Sequence, residues 1–270
     1  MLLALDIGNT NLVAGVFAGT GLRAHWRLST QRERTSDELA AFLDFAFKTN
    51  GFGFDDIDGV VIASVVPTLT PQAAAMARSY FKCNPIVLGP DTDTGLVNDY
   101  DDPRQVGADR LANAVAAWKR YGQTTIIADF GTATTVDAVS HHGHYLGGAI
   151  APGMQISVDA LFHAAARLPR VDLKAPAHAL GRNTTQSIQA GIFFGYVGMV
   201  KELIERCRVD IVAQLGEAPI TVAATGGLAE LIAPHIPAIS HIEPHMTLDG
   251  LRLIWEVNRT KLPPGSKPTS

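Results

Sequence analysis

Cysteine occurs only twice in the 270 residues, as Cys83 and Cys207. Two thiols without metal-ligand spacing make neither a disulfide framework nor a zinc module, and they fit a reducing, cytoplasmic setting. Lysine and arginine form no run, and the formal net charge is −4; nucleic acid is not an expected partner. No apolar stretch is long enough to span a bilayer, and Met1-Leu2-Leu3-Ala4-Leu5 is too short, and lacks the basic leader, for a signal peptide. A membrane is therefore not an expected partner either. The Gly-x-x-x-x-Gly-Lys-[Ser/Thr] loop of P-loop kinases is missing too. What is present is a 47% hydrophobic share with 18% charged residues, the composition of a chain with a real core rather than a disordered one. The length admits two modest α/β domains.

Leu2 to Ile7 is an apolar run closed by a polar turn and reads as a buried strand. Leu12 to Phe17 and His25 to Thr30 read as further strands around a Gly19-Thr20-Gly21 turn. Leu39, Phe42, Leu43 and Phe47 fall near helical spacing over 36–49, with Ser36 or Asp37 as the expected cap. A strand over 59–66, a helix over 70–81 and a strand over 84–88 follow. The second half repeats the opening. Residues 124–128 run into Asp129-Phe130-Gly131-Thr132-Ala133-Thr134, in the register of Asp6-Ile7-Gly8-Asn9-Thr10-Asn11. Strands over 134–139 and 145–150, helices from about Met154 and Thr185, and a strand over 221–224 entering Thr225-Gly226-Gly227 and a helix complete it. The echo predicts a duplicated α/β architecture with a cleft between the copies. The expected division is an N-terminal domain over 1–115, a C-terminal domain over 116–260 and a flexible tail over 261–270, where Pro263, Pro264, Gly265 and Pro268 stand.

Gly8 has no Cβ, so a phosphate can approach the backbone, and Asn9, Thr10 and Asn11 add side-chain donors. The Asp6 carboxylate suits Mg²⁺, directly or through water, because that ion takes oxygen ligands and keeps several waters. A lone Asp-x-Gly is equally an Asx-stabilised hairpin turn. The second loop adds another carboxylate, Asp129, and another hydroxyl-rich turn. Thr225-Gly226-Gly227 presents backbone at a strand-to-helix turn, where a nucleotide can bind. Phosphoryl transfer also needs an acceptor and a base. Val106-Gly107-Ala108-Asp109-Arg110 precedes a helix over Leu111 to Trp118; Asp109 can take a proton from an alcohol, and the Arg110 fork can hold an anion. The alternative is that Asp109 is a helix cap and Arg110 a solvated surface charge.

In this order the three loops resemble the phosphate 1, phosphate 2 and adenosine motifs of the acetate kinase, sugar kinase and actin superfamily, which implies duplicated ribonuclease H-like (actin-like ATPase) domains. Further blocks narrow the likeness. They are Tyr100-Asp101-Asp102-Pro103, Val106 to Arg110, Asp129 to Asp137, Gly147-Gly148-Ala149-Ile150-Ala151-Pro152-Gly153 and Gly181-Arg182-Asn183-Thr184. Over almost the whole chain they resemble the type III pantothenate kinases. The resemblance implies ATP-dependent phosphorylation of pantothenate, the first step of coenzyme A synthesis. It implies ATP binding by Asp6, Ile7, Gly8, Asn9, Thr10, Asn11, Thr132, Gly226 and Gly227, with Asp6 also at Mg²⁺. Asp109 would be the catalytic base; Tyr100, Gly107, Ala108, Asp109, Arg110 and Thr184 would bind pantothenate. Asp129 would hold a monovalent cation, K⁺ or NH₄⁺. The expected assembly is a homodimer with the acceptor pocket at the subunit interface.

Two other readings stay in view. A non-catalytic regulator of the same fold would be signalled by loss of Asp109 or Asp129, or by a basic run, and neither occurs. Another small-molecule kinase of the superfamily would carry larger insertions or different acceptor blocks. His141, His142 and His144, around Gly143, read as loop residues rather than a metal site. Gly191 to Gly198 reads as a closely packed helix face, in the core or at a dimer interface. Cys83 and Cys207 read as buried small residues rather than nucleophiles.

Overall fold

The computed structural model describes residues 1–164, 169–216 and 219–261. They form two compact units, Met1–Ala116 joined by the segment from Met246, and Ala117–His245. In the first, β1 (Leu2–Ile7), β2 (Asn11–Ala18) and β3 (Gly21–Ser29) make an antiparallel meander. After α1 (Ser36–Lys48), β4 (Gly59–Ser64) pairs with β1 in parallel; after α2 (Leu69–Tyr80), β5 (Ile86–Val87) pairs with β4 in parallel. The five-stranded sheet runs β3-β2-β1-β4-β5. The short β6 (Val97–Asn98) and α3 (Ala108–Tyr121) follow.

The second unit repeats that plan. β7 (Thr124–Phe130), β8 (Ala133–Val139) and β9 (His144–Pro152) form a meander, then α4 (Met154–Ala164) and α5 (Thr184–Leu215) lead to β10 (Ile220–Thr225), parallel to β7. After α6 (Ala229–Ile232), β11 (His241–Ile242) pairs with β10 in parallel. Within this unit the order β9-β8-β7-β10-β11 copies β3-β2-β1-β4-β5. Two such sheets are the duplicated ribonuclease H-like fold. Asp6 and Asp129 take equivalent places, each the penultimate residue of its central strand. That strand has an antiparallel neighbour on one side and a parallel neighbour on the other, and ligands of open α/β sheets bind beyond the carboxyl ends of such strands.

Period-two alternation explains the packing of the first sheet. Leu3, Leu5 and Ile7 point to one face, against Leu39, Leu43 and Phe47 of α1 and Ala73 and Met76 of α2. Leu2 and Ala4 point to the other, where they meet Leu248, Leu251 and Ile254 of the last helix, α7 (Met246–Asn258), and Ala112 and Val115 of α3. The expected C-terminal domain is corrected here: residues 246–258 belong to the first unit, because β1 and β4 are apolar on both faces and α7 covers the one α1 and α2 leave open. Of the expected tail, Lys261 pairs with Asp93 at 2.6 Å, and 262–270 lie outside the described residues.

The cap of α1 is also corrected. Thr35, not Ser36 or Asp37, is the N-cap: Glu38 N–H donates to Thr35 Oγ1 at 3.3 Å, and Thr35 N–H donates to Glu38 Oε2 at 2.8 Å. This reciprocal pair satisfies two of the N–H groups that a helix start leaves open. Among the described residues no helix is long and apolar enough to cross a membrane.

Candidate active site

The first loop is a tight turn held from outside. Gly8 N–H donates to Asn11 O at 2.9 Å, closing the turn between β1 and β2. Thr30, just past β3, fastens it twice, through its N–H to Thr10 O at 2.9 Å and its Oγ1 to Gly8 O at 2.7 Å. With those carbonyls engaged, the turn keeps the side chains of Asn9 and Thr10 exposed, while Asp6 and Asn11 are partly buried.

The acceptor-side block opens α3. Leu111 N–H donates to Gly107 O at 3.1 Å, so the helix begins at Ala108 rather than at Leu111. Asp109 Oδ1 accepts from Arg110 N–H at 2.8 Å. The carboxylate thus does part of a cap's work, as one alternative expected. The other half of that alternative fails: Arg110 is only 6% exposed, which a solvated surface charge would not be. Its guanidinium carbon lies 6.0 Å from the Tyr100 ring centroid, within cation–π range. Tyr100 N–H is in turn held by Asn98 Oδ1 at 3.1 Å. Tyr100, Gly107, Ala108, Asp109 and Arg110 therefore form one connected group.

In the second unit Asp129 pairs with Thr135 of β8 on one side and Thr225 of β10 on the other. Gly226 follows Thr225 with φ +91°. A Cβ there would overlap Asp129 Oδ1 and lie 2.6 Å from Phe130 N. Only glycine permits this approach, which packs the third loop's backbone against the Asp129 carboxylate. Leu228 N–H donates to Phe130 O at 3.3 Å. Thr132 and Gly227 are exposed beside these contacts. Below the loop, the Tyr196 hydroxyl of α5 is hydrogen-bonded to Thr134 Oγ1, and burial pushes the Tyr196 pKa up. Asp137 is buried with both oxygens engaged: Thr135 Oγ1 donates to Oδ2 at 2.8 Å and Tyr145 OH to Oδ1 at 2.7 Å.

Thr184 is the exposed first residue of α5, after the N-cap Asn183, whose Oδ1 accepts from Gln186 N–H at 2.9 Å. The geometry does not join it to the contacts around Asp129. Along α5 the stretch expected in core or interface has a buried side and an exposed side. Phe193, Tyr196 and Val197 are buried, and Gly191, Phe194, Gly195 and Gly198 are exposed. His141 and His142 are exposed, with Gly143 at φ +82° between them and β9. Burial pushes both thiols, Cys83 and Cys207, up from their ordinary values, which disfavours the reactive thiolate.

Among the described residues no three His, Cys, Asp or Glu side chains gather as a metal cage. Single carboxylates at strand ends suit an ion that phosphate and water complete, which is how Mg²⁺ is commonly bound beside nucleotides. Two supporting side chains escaped the sequence reading. Thr30 is reachable only through the β2–β3 meander. Asn113 had a visible signal, as a polar residue inside the apolar run from Leu111 to Ala117; it is fully buried, and Thr247 Oγ1 donates to its Oδ1 at 2.8 Å.

A family model described as type III pantothenate kinase matches residues 2–206. Curated relatives of that name include one from Pelobacter propionicus, 49% identical over 259 residues, covering 96% of this chain and 100% of the relative. Another, from Moorella thermoacetica, is 48% identical over 258 residues with the same coverage. Among solved structures, the chain resembles a Campylobacter jejuni protein described as of the Baf family of transcriptional activators, with TM-score 0.59, 20% identity, and 96% and 99% of the two chains covered. It also resembles the activator of 2-hydroxyisocaproyl-CoA dehydratase from Clostridium difficile with bound ADPNP, with TM-score 0.50, 12% identity and 96% of each chain covered. At these identities the structural likeness is one of fold.

Proposed function

This chain belongs to the type III pantothenate kinase family; its activity is accordingly the transfer of a phosphoryl group from ATP to pantothenate in coenzyme A synthesis, and we propose how its residues share that work. The observation that carries the proposal is the pair at the start of α3, a carboxylate, Asp109, next to a buried guanidinium, Arg110. Pantothenate is a small anion with a primary alcohol. Arg110, braced by the Tyr100 ring, binds the carboxylate, and Gly107 and Ala108 line the pocket beside it. Thr184 is the further pantothenate contact that the family resemblance implies, in its own or the neighbouring subunit's site. Asp109 takes the proton of the hydroxyl as its oxygen bonds to the γ-phosphorus and the bond to ADP breaks. Asp6, Ile7, Gly8, Asn9, Thr10, Asn11 and Thr132 position the phosphates, and Gly226 and Gly227 present backbone to the nucleoside. Asp6 would hold Mg²⁺ and Asp129 would hold K⁺ or NH₄⁺; these ions supply positive charge to the phosphate oxygens.

The test is ADP release by purified protein in ATP, Mg²⁺ and K⁺, with and without pantothenate. ADP should accumulate only when pantothenate is added. Release that ignores pantothenate, or none at all, overturns the assignment. The regulator reading gains nothing from the Campylobacter likeness, which is one of fold, and Asp109 and Asp129 are both in place.

The proposal includes a homodimer. Its support is apolar exposure on the second unit: Ile156, Leu161 and Phe162 on α4 and Phe194 on α5 are each at least 37% exposed. Gly191, Gly195 and Gly198 leave open space where a Cβ would stand, so another helix can approach closely. Gly195→Glu should give a monomer by sedimentation velocity. In a monomer the change would be harmless, because replacing an exposed helix glycine gains about 0.5–1 kcal/mol of helix propensity. A dimer that survives this substitution places the interface elsewhere.

A further inference from the structure

We infer that Thr247 and Asn113 are positioning residues for phosphoryl transfer, through which α7 holds the first turn of α3, and with it Asp109 and Arg110, in register. The inference rests on the acceptor-site reading above, but its starting point is a contact that no motif contains. Gly250 lies inside α7, where glycine is unfavourable unless space demands it. Space does demand it: a Cβ on Gly250 would overlap the Ala112 carbonyl oxygen and lie 2.5 Å from its carbon. α7 and α3 therefore meet backbone to backbone. That approach sets Thr247, one turn before Gly250, against Asn113, the residue after Ala112, and Thr247 Oγ1 donates to Asn113 Oδ1 at 2.8 Å.

Asn113 is fully buried, and an amide whose oxygen is taken by a fixed donor is held in one orientation. It follows Asp109 by four positions and Arg110 by three, so the three side chains share one face of α3. α7 does not depend on this hydrogen bond for its place. Leu248, Leu251 and Ile254 anchor it in the core with Ala112 and Val115. The Thr247–Asn113 bond instead fixes how α3 sits against α7. The base and the anion clamp stand one turn away, where a displacement of about 1 Å costs on the order of 10²-fold in rate.

The experiment compares Thr247→Val with Thr247→Ser in the full chain. Steady-state kinetics would be measured against pantothenate and against ATP, together with backbone hydrogen exchange over residues 108–113 without substrate. Thr247→Val should lower kcat/KM for pantothenate about tenfold, the effect of one positioning hydrogen bond, while KM for ATP stays within about twofold. Thr247→Ser should restore most of the loss. Exchange over 108–113 should be faster in Thr247→Val and close to wild type in Thr247→Ser. Should Thr247→Val not fold, Thr247→Ala takes its place with the same expectations. Unchanged pantothenate kinetics overturn the inference. So does a loss that serine does not rescue, or one that disappears when rates are normalised to the folded fraction, because that is the mark of a contact serving stability alone. Wild-type protein that ignores pantothenate would overturn the acceptor reading. The exchange data would still decide, on their own, whether α7 holds α3.

Discussion

Asp109→Asn should reduce turnover by about 10²–10⁴-fold, the usual worth of a positioned base, and leave ATP binding in place. The two effects separate because the proposed mechanism gives Asp109 two tasks. Its Oδ1 accepts from Arg110 N–H at 2.8 Å, and an asparagine carbonyl can accept the same bond, so the first turn of α3 keeps its geometry. What the amide cannot do is take a proton from the pantothenate hydroxyl. The loops around Asp6 and Asp129, proposed to bind the nucleotide, keep every side chain. Rapid-quench turnover and a fluorescent-nucleotide titration on the same preparation would check both halves. Asp109→Glu is an instructive companion: the carboxylate stays but moves by one methylene, so a large loss there as well would mean that placement matters beside basicity. Near-wild-type turnover in Asp109→Asn would remove Asp109 from the chemistry.

The loops were legible because each announces itself locally. An apolar run ends in Asp-x-Gly and polar residues, and it does so twice in one register. Hence Leu2–Ile7 and Thr124–Phe130 emerge as equivalent central strands, and the duplication follows from them. The true cap of α1 was equally local: Thr35-Ser36-Asp37-Glu38 spells a capping box that begins one residue before the expected cap. α7 was harder. Leu248, Leu251 and Ile254 have helical spacing, yet chain order alone assigns them to the second half. The clue lay at the other end of the chain, where Leu2-Leu3-Ala4-Leu5 is apolar without alternation and so requires cover on both faces. Thr30 could not be found locally, since its bonds to Thr10 and Gly8 depend on how β2 and β3 fold back. The burial of Arg110 was illegible for the same reason, as it depends on tertiary packing rather than on its own neighbours in sequence.

Gly226→Ala should be strongly damaging, although glycine carries no functional group. Two physical costs coincide there. Gly226 has φ +91°, a conformation costing a residue with a Cβ on the order of 1–3 kcal/mol. The added methyl would also meet Asp129 Oδ1, with Phe130 N at 2.6 Å and Phe130 C at 2.7 Å. Two of these three neighbours are backbone of a central strand whose pairing runs through Thr225↔Asp129, so they have little freedom to yield. The Asp129 carboxylate must give way. If it holds the monovalent cation, the variant should lose its K⁺ stimulation, and turnover should fall by about 10²-fold for a displacement near 1 Å. Thermal unfolding would report the strain separately. Because both effects pass through one carboxylate, Gly226→Ala and Asp129→Asn should be strongly non-additive in turnover: the double variant should be little worse than Asp129→Asn alone. Additive losses would mean that Gly226 acts on the nucleotide directly. Full K⁺ stimulation in Gly226→Ala would show that the Asp129 carboxylate stays in place or is not the cation's ligand.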